Sequence, residues 1–121
     1  MKRILIADDK AGSREFLRVV LEHSGYQITE AADGQEALEK AIASKVDLFL
    51  LDLQMPKLDG FSLVRLLRER PEFAYVPIVA LTASAMQGDR ERALAAGFSA
   101  YIAKPVSLST LRSEVARLIE P

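Results

Sequence analysis

Short apolar runs alternate with amphipathic stretches along the whole chain. The runs Arg3–Ala7, Gln27–Ala31, Leu48–Leu51, Val76–Leu81 and Ala100–Ala103 have the length and character of strands. The first, third and fourth are nearly continuous in Leu, Ile, Val or Phe, the pattern of strands covered on both faces. Between the runs, apolar residues recur at helical spacing. Phe16, Leu17, Val20 and Leu21 form one stripe, and Ala37, Leu38, Ala41 and Ile42 form the next. A third helix is predicted from about Phe61 to Glu69, with Leu63, Leu66 and Leu67 inward and Pro71 beyond to stop it. The fourth, from about Gly88 to Ala96, is small and Ala-rich, and Gly97 is placed to end it in the left-handed conformation. The fifth carries Leu111, Val115, Leu118 and Ile119, with Ser107 as its N-cap. Asp33 and Glu36 stand at capping-box spacing before the second helix.

Five strands alternating with five helices imply right-handed crossovers and a parallel sheet with helices on both faces. The predicted class is α/β, a flavodoxin-like doubly wound sheet. Its strand order 2-1-3-4-5 sets strands one and three side by side at the topological switch point. No segment has the composition of a linker, a repeat or a low-complexity tail, and 121 residues fit one domain over residues 1–121.

Charge and composition narrow the function classes. Sixteen Lys and Arg against 17 Asp and Glu give a net charge of -1, which supplies no field for gripping nucleic acid and no polybasic membrane anchor. No apolar run approaches the roughly 20 residues that span a bilayer. The N-terminal apolar stretch is too short for a secretory signal. The absence of cysteine excludes disulfides and thiolate metal sites. These features predict a soluble cytoplasmic domain.

Open α/β sheets bind ligands beyond the carboxyl ends of their strands. There the sequence places Asp8 and Asp9 after strand one, Asp52 after strand three, Thr82 after strand four and Lys104 after strand five. Strand two is followed only by Ala32 and Asp33. In the predicted order the three acids converge on one crevice, with Thr82 and Lys104 flanking it. Crowded carboxylates repel, at about 4 Å by on the order of 4 kcal/mol per pair at an effective dielectric of 20. Such a cluster calls for a cation, and an all-oxygen set with few protein ligands suits Mg²⁺ better than Ca²⁺. Lys104 offers a compact charge for a phosphoryl oxygen, and Thr82 offers a hydroxyl. These parts match phosphoryl transfer, with Asp52 as the nucleophile that forms a labile aspartyl-phosphate.

At these residues the chain resembles the receiver domain of bacterial two-component response regulators, in the single-domain, chemotaxis-regulator-like form. The resemblance rests on Ile4 through Asp9, on Asp47 through Pro56 with Asp59 and Gly60 after it, on Ala80 through Ala83, and on Ala96 through Pro105. It implies that Asp52 is the phosphoacceptor, fed by a phosphohistidine on a sensor histidine kinase or phosphotransfer protein. Asp9 and Asp52 would bind Mg²⁺ directly, Asp8 largely through water, and the Gln54 backbone carbonyl would complete the protein ligands. Thr82 would swing toward the phosphoryl group and Tyr101 would change rotamer with it. The Lys104–Pro105 bond is expected to be cis. Helix four, strand five and helix five would form the face that docks a downstream effector, with the domain a monomer or weak dimer. Lys10 departs from the acidic or amide residue usual after the acidic pair, and Gln54 and Ser84 occupy positions that tune acyl-phosphate lifetime.

Taken singly, several residues have plainer readings. Asp8-Asp9 alone is a helix N-cap with a solvated neighbour, and Asp59-Gly60 is turn chemistry. Asp47 belongs at a strand start away from the crevice, and His23 at the end of helix one. Two rival functions compete with the switch. An aspartyl-phosphate phosphatase usually carries a second Asp two residues after its nucleophile, where this chain has Gln54. A phosphate-independent docking module would not need the set Asp9, Asp52, Thr82 and Lys104.

Overall fold

Five parallel strands, Arg3–Ala7 (β1), Gln27–Ala31 (β2), Leu48–Asp52 (β3), Ile78–Thr82 (β4) and Ala100–Ala103 (β5), form one sheet in the order β2-β1-β3-β4-β5. The helices between them are Ala11–His23 (α1), Gly34–Ala43 (α2), Gly60–Arg68 (α3), Asp89–Ala96 (α4) and Leu108–Ile119 (α5). This is the predicted doubly wound fold. It is a computed structural model, and it describes residues 1–83 and 88–119. Ser84 lies outside the described residues.

The two-residue alternation of each strand divides the core into two layers. Ile4, Ile6, Leu48, Leu50, Val79, Leu81 and Ile102 face α1 and α5, where they meet Leu17, Leu21, Leu111 and Val115. Leu5, Ala7, Phe49, Leu51, Ile78 and Ala80 face the other way, onto Ala37, Leu63, Leu67 and Ala93 of α2, α3 and α4. β1, β3 and β4 are buried almost throughout, as their continuous apolar sequences require.

Three apolar positions assigned inward by periodicity are on the surface: Phe16, Ile42 and Leu66 are 41%, 50% and 38% exposed. Each lies at the edge of its stripe, beyond the narrower band of helix that touches a flat sheet. β4 begins at Ile78 rather than Val76, because Pro77 has no N–H to give the ladder; its carbonyl still accepts from Phe49 N–H at 2.9 Å. A 3₁₀ turn, Pro71–Phe73, precedes that strand and has no counterpart in the pattern reading.

The caps follow chemistry. Asp33 accepts from Glu36 N–H at 2.8 Å, while the Glu36 carboxylate reaches Ala32 N–H rather than that of the cap itself. Asp59 is the N-cap of α3, accepting from Ser62 N–H at 2.8 Å, which gives the Asp59-Gly60 turn a defined task. Ser107 Oγ accepts from Thr110 N–H at 3.1 Å ahead of α5. Gly97 closes α4 at φ 119°, a left-handed conformation that favours glycine.

Candidate functional site

The same alternation that sorts the core sorts the polar residues past it. Asp8, Asp52 and Lys104 continue the rows that face α1 and α5, whereas Thr82 and Tyr101 continue the rows on the α4 side. The backbone ladder carries the register past the strand ends. Asp8 N–H donates to Ala31 O at 3.1 Å, Leu53 N–H to Leu81 O at 3.0 Å, and Lys104 N–H to Thr82 O at 2.7 Å.

Carboxylate oxygens of Asp8, Asp9 and Asp52 all lie within 4.8 Å of one another. Asp8 and Asp52 are buried, at 0% and 4% exposed, and Asp9 stands at the mouth. Lys104 Nζ reaches across to both buried acids, 2.7 Å from Asp8 Oδ2 and 3.2 Å from Asp52 Oδ2. Asp52 Oδ1 accepts from Gln54 N–H at 3.0 Å. The N-cap reading of Asp8 is excluded: it is wholly buried, and the residue preceding α1 is Lys10. Lys10 N–H donates to Asp8 Oδ1 at 2.9 Å, while its ammonium, largely exposed, pairs with Asp9 at 3.8 Å.

Two residues of α1 enter the site without having been singled out in the sequence. Ser13 Oγ donates to Asp8 Oδ2 at 2.6 Å, and Arg14 Nη1 donates to the Asp8 backbone carbonyl at 2.8 Å. Burial alone would raise the Asp8 pKa; hydrogen bonds from Lys104, Ser13 and Lys10 N–H, with the Lys104 charge, outweigh it and hold the pKa below its ordinary 3.8. Burial likewise acts to lower the Lys104 pKa, but the Asp8 hydrogen bond and the two carboxylate charges raise it above 10.5. Lys104 is therefore held charged between the acids.

Thr82 is buried at the end of β4 and borders a cavity of about 650 Å³ with Asp9, Gln54, Met55, Asp89 and Arg92. Lys104 lines a second cavity of about 630 Å³, with Ser13, Phe16, Leu17, Ala83, Pro105 and Val106. The Lys104–Pro105 bond is cis. Tyr101 packs against the α2–α4 layer with its hydroxyl oxygen buried and, among the described residues, without a hydrogen-bond partner. Burial, then the charge of Asp89, raises its pKa above 10.0. His23 and Asp47 stand away from the crevice, Asp47 accepting from Arg3 N–H at 2.8 Å at the opposite end of the sheet.

The model of the response regulator receiver domain matches residues 4–116 of this sequence. The chain belongs to that family. As a receiver it has curated relatives such as the polar-differentiation response regulator DivK of Brucella anthropi, 36% identical over 107 residues covering 88% of this chain and 87% of DivK. Among solved structures, the chemotaxis response regulator CheY4 of Vibrio cholerae superposes with a TM-score of 0.92 at 30% identity, covering 98% of each chain. The receiver domain of the sensor histidine kinase PA1611 of Pseudomonas aeruginosa, a crystal structure with a magnesium ion coordinated in its active-site cleft, gives 0.91 at 38% identity, over 99% of this chain and 98% of that one.

Receivers act in two-component signalling with histidine kinases or phosphotransfer proteins and with effectors, and they bind Mg²⁺ at an acidic pocket. The donor set of this receiver fits that ion. The three carboxylates outnumber the ammoniums that reach them, Lys104 between Asp8 and Asp52 and the exposed Lys10 beside Asp9, so the cluster keeps a net negative charge. Asp8, Asp9 and Asp52, with oxygens within 4.8 Å of one another, are the residues that would hold the ion. No helix among the described residues is long and apolar enough to cross a membrane.

Proposed function

We propose that this receiver accepts a phosphoryl group on Asp52 from a partner phosphohistidine. The carrying observation is that Asp8, Asp9 and Asp52 meet within 4.8 Å at the carboxyl end of the sheet, with Lys104 bridging Asp8 and Asp52. The donor P–N bond breaks with its electron pair returning to the ring nitrogen, an Asp52 Oδ–P bond forms, and the imidazole, already protonated on its other nitrogen, leaves neutral. Asp8, Asp9, Asp52 and the Gln54 carbonyl are the residues that would hold Mg²⁺, Asp8 largely through water. Bound there, Mg²⁺ supplies charge neutralisation for the transferring group. Lys104 Nζ turns from the carboxylates to a phosphoryl oxygen, and Thr82 Oγ1 donates to another.

The output is a change of surface. Phosphorylation exchanges the single charge of the Asp52 carboxylate for a phosphoryl group of about 1.5–2 negative charges, a net gain of at most about one, with three strong acceptor oxygens at the buried end of β3. Thr82 and Tyr101 share one sheet face, so motion at one is felt in the packing of the other. The nearest element is α4, which buries only Ala93 of its eight residues. Its hold on α3 includes Arg92 stacked 4.9 Å over the Phe61 ring, itself edge-on to Phe98 at 6.1 Å. A loosely seated helix beside edge strand β5 suits a two-state surface of α4, β5 and α5 that docks an effector protein. The receiver catalyses only its own phosphorylation and dephosphorylation, as a cytoplasmic monomer or weak dimer.

Acetyl phosphate with Mg²⁺ tests this reading. The expected product carries one hydroxylamine-sensitive phosphate, absent from D52N and from wild type in EDTA. Equal labelling of D52N would remove Asp52 from its role.

A further inference from the structure

Asp8 Oδ2 accepts two donors at once, Lys104 Nζ at 2.7 Å and Ser13 Oγ at 2.6 Å. The two are held very differently. Lys104 ends a flexible stem, lies at the wall of a cavity and is already shared with Asp52 Oδ2 at 3.2 Å. Ser13 sits on the first turn of α1. Its neighbour Arg14 fixes that turn to the Asp8 carbonyl at 2.8 Å and to Glu30 Oε1 at 3.2 Å, and Arg18 Nε takes the other Glu30 oxygen at 3.1 Å.

A fully buried carboxylate that loses a donor suffers the desolvation cost of the bare oxygen. If Lys104 were the sole donor to Asp8 Oδ2, that cost would oppose its departure toward any incoming anion. With Ser13 in place the oxygen stays hydrogen-bonded after the ammonium leaves. We propose that Ser13 is a positioning residue for phosphoryl transfer: its hydroxyl keeps Asp8 Oδ2 oriented and satisfied, which frees Lys104 to move onto the phosphoryl group at Asp52. This inference rests on the phosphoacceptor reading of Asp52.

Trifluoroberyllate, a stand-in for the phosphoryl group, tests it on the intact chain by amide NMR titration. At saturating Mg²⁺, S13A is expected to bind trifluoroberyllate about 3- to 10-fold more weakly than wild type, and S13T, which keeps a hydroxyl, within about twofold of it. Affinity for Mg²⁺ alone should change by less than about twofold in S13A, because Lys104 remains on Asp8 in that state. On a K104M background no ammonium has to leave, so adding S13A should cost less than about twofold. Unchanged trifluoroberyllate affinity in S13A, a loss of the same size in Mg²⁺ binding, or an equal loss on the K104M background would each overturn the role of Ser13. A wild-type chain that ignores trifluoroberyllate would instead overturn the phosphoacceptor reading, and this one with it.

Discussion

Gly60 packs directly against the backbone of Asp52: a Cβ built on Gly60 would stand 2.7 Å from the Asp52 carbonyl oxygen and 2.9 Å from Leu53 Cα. The Gly60 N–H closes the contact by donating to Leu53 O at 3.1 Å. Both neighbours are backbone atoms, so no side chain can swing aside. G60A is expected to lose about 1–3 kcal/mol of stability, the usual cost of overpacking, and to label poorly with acetyl phosphate because β3 must shift. Urea unfolding with an unchanged m value, beside the labelling yield, measures both. A wild-type midpoint would show that α3 can retreat without cost.

The acidic cluster predicts a receiver destabilised by its own site. Carboxylate charges 4–5 Å apart repel by about 3–4 kcal/mol at an effective dielectric of 20. D52N removes two such repulsions, about 7 kcal/mol together, and loses the closer attraction to Lys104 at 3.2 Å, about 5 kcal/mol on the same scale. The expected net gain is about 1–2 kcal/mol, or about 3–8 °C in Tm for a chain of this size. A tenfold excess of Mg²⁺ over its Kd should raise the wild-type Tm through about 1.4 kcal/mol of linkage, and D52N should respond less. Melting curves followed by circular dichroism decide it; a wild-type curve indifferent to Mg²⁺ would count against a metal site at these acids.

Much of this arrangement was legible in the sequence because it depends on period and position. Strands β1, β3 and β4 announce themselves by unbroken apolar residues, and the strand-end rule then puts Asp8, Asp9, Asp52, Thr82 and Lys104 at one end of the sheet. Periodicity overshot at Phe16, Ile42 and Leu66, since a stripe of 3.6-residue spacing does not say how wide a band the sheet covers. Pro77 could have corrected the start of β4, because a missing N–H is visible in sequence. Ser13 and Arg14 could not be read in this way. Their contacts depend on the angle at which α1 leaves the Asp8 loop, and neither residue type is distinctive on a helix. Arg68 was equally silent, because its partners are backbone carbonyls and one serine hydroxyl.

Arg68 ends α3 and donates from all three of its nitrogens to neutral acceptors. Nε reaches Gly97 O at 2.9 Å, Nη1 reaches Phe73 O at 2.8 Å and Val76 O at 2.7 Å, and Nη2 reaches Ser99 Oγ at 3.2 Å. The guanidinium thereby ties α3 to the turn after α4 and to the segment entering β4. Burial lowers its pKa below the ordinary guanidinium value, but no nearby carboxylate is needed when the fork is filled by carbonyls and a hydroxyl. R68A is expected to cost about 2–4 kcal/mol, and R68K, which keeps charge but not the fork, about half of that. Urea midpoints of the two variants check the ranking. Equal losses would mean that charge or stem packing, rather than the directed hydrogen bonds, holds these segments together.

The dependence of stability on pH follows from Asp8 and Lys104, and its sign can be worked out for each. Asp8 has a folded pKa below its unfolded value, so its contribution is complete above the ordinary 3.8 and is lost as the pH falls through the lower folded value. Lys104 has a folded pKa above its unfolded value, so its contribution is complete below the ordinary 10.5 and is lost as the pH rises through the higher folded value. The pair thus supports a plateau between these limits, with acid unfolding on one side and alkaline unfolding on the other. K104M should alter the acid side in a specific direction. Without the ammonium, Asp8 keeps only the hydrogen bonds of Ser13 and Lys10 N–H against complete burial, so its pKa should rise and the acid transition should begin at higher pH. Unfolding followed by circular dichroism from pH 7 down to pH 2 measures that onset in both proteins. An onset that stays in place, or moves to lower pH, would mean that Lys104 is not what keeps the buried carboxylate ionised.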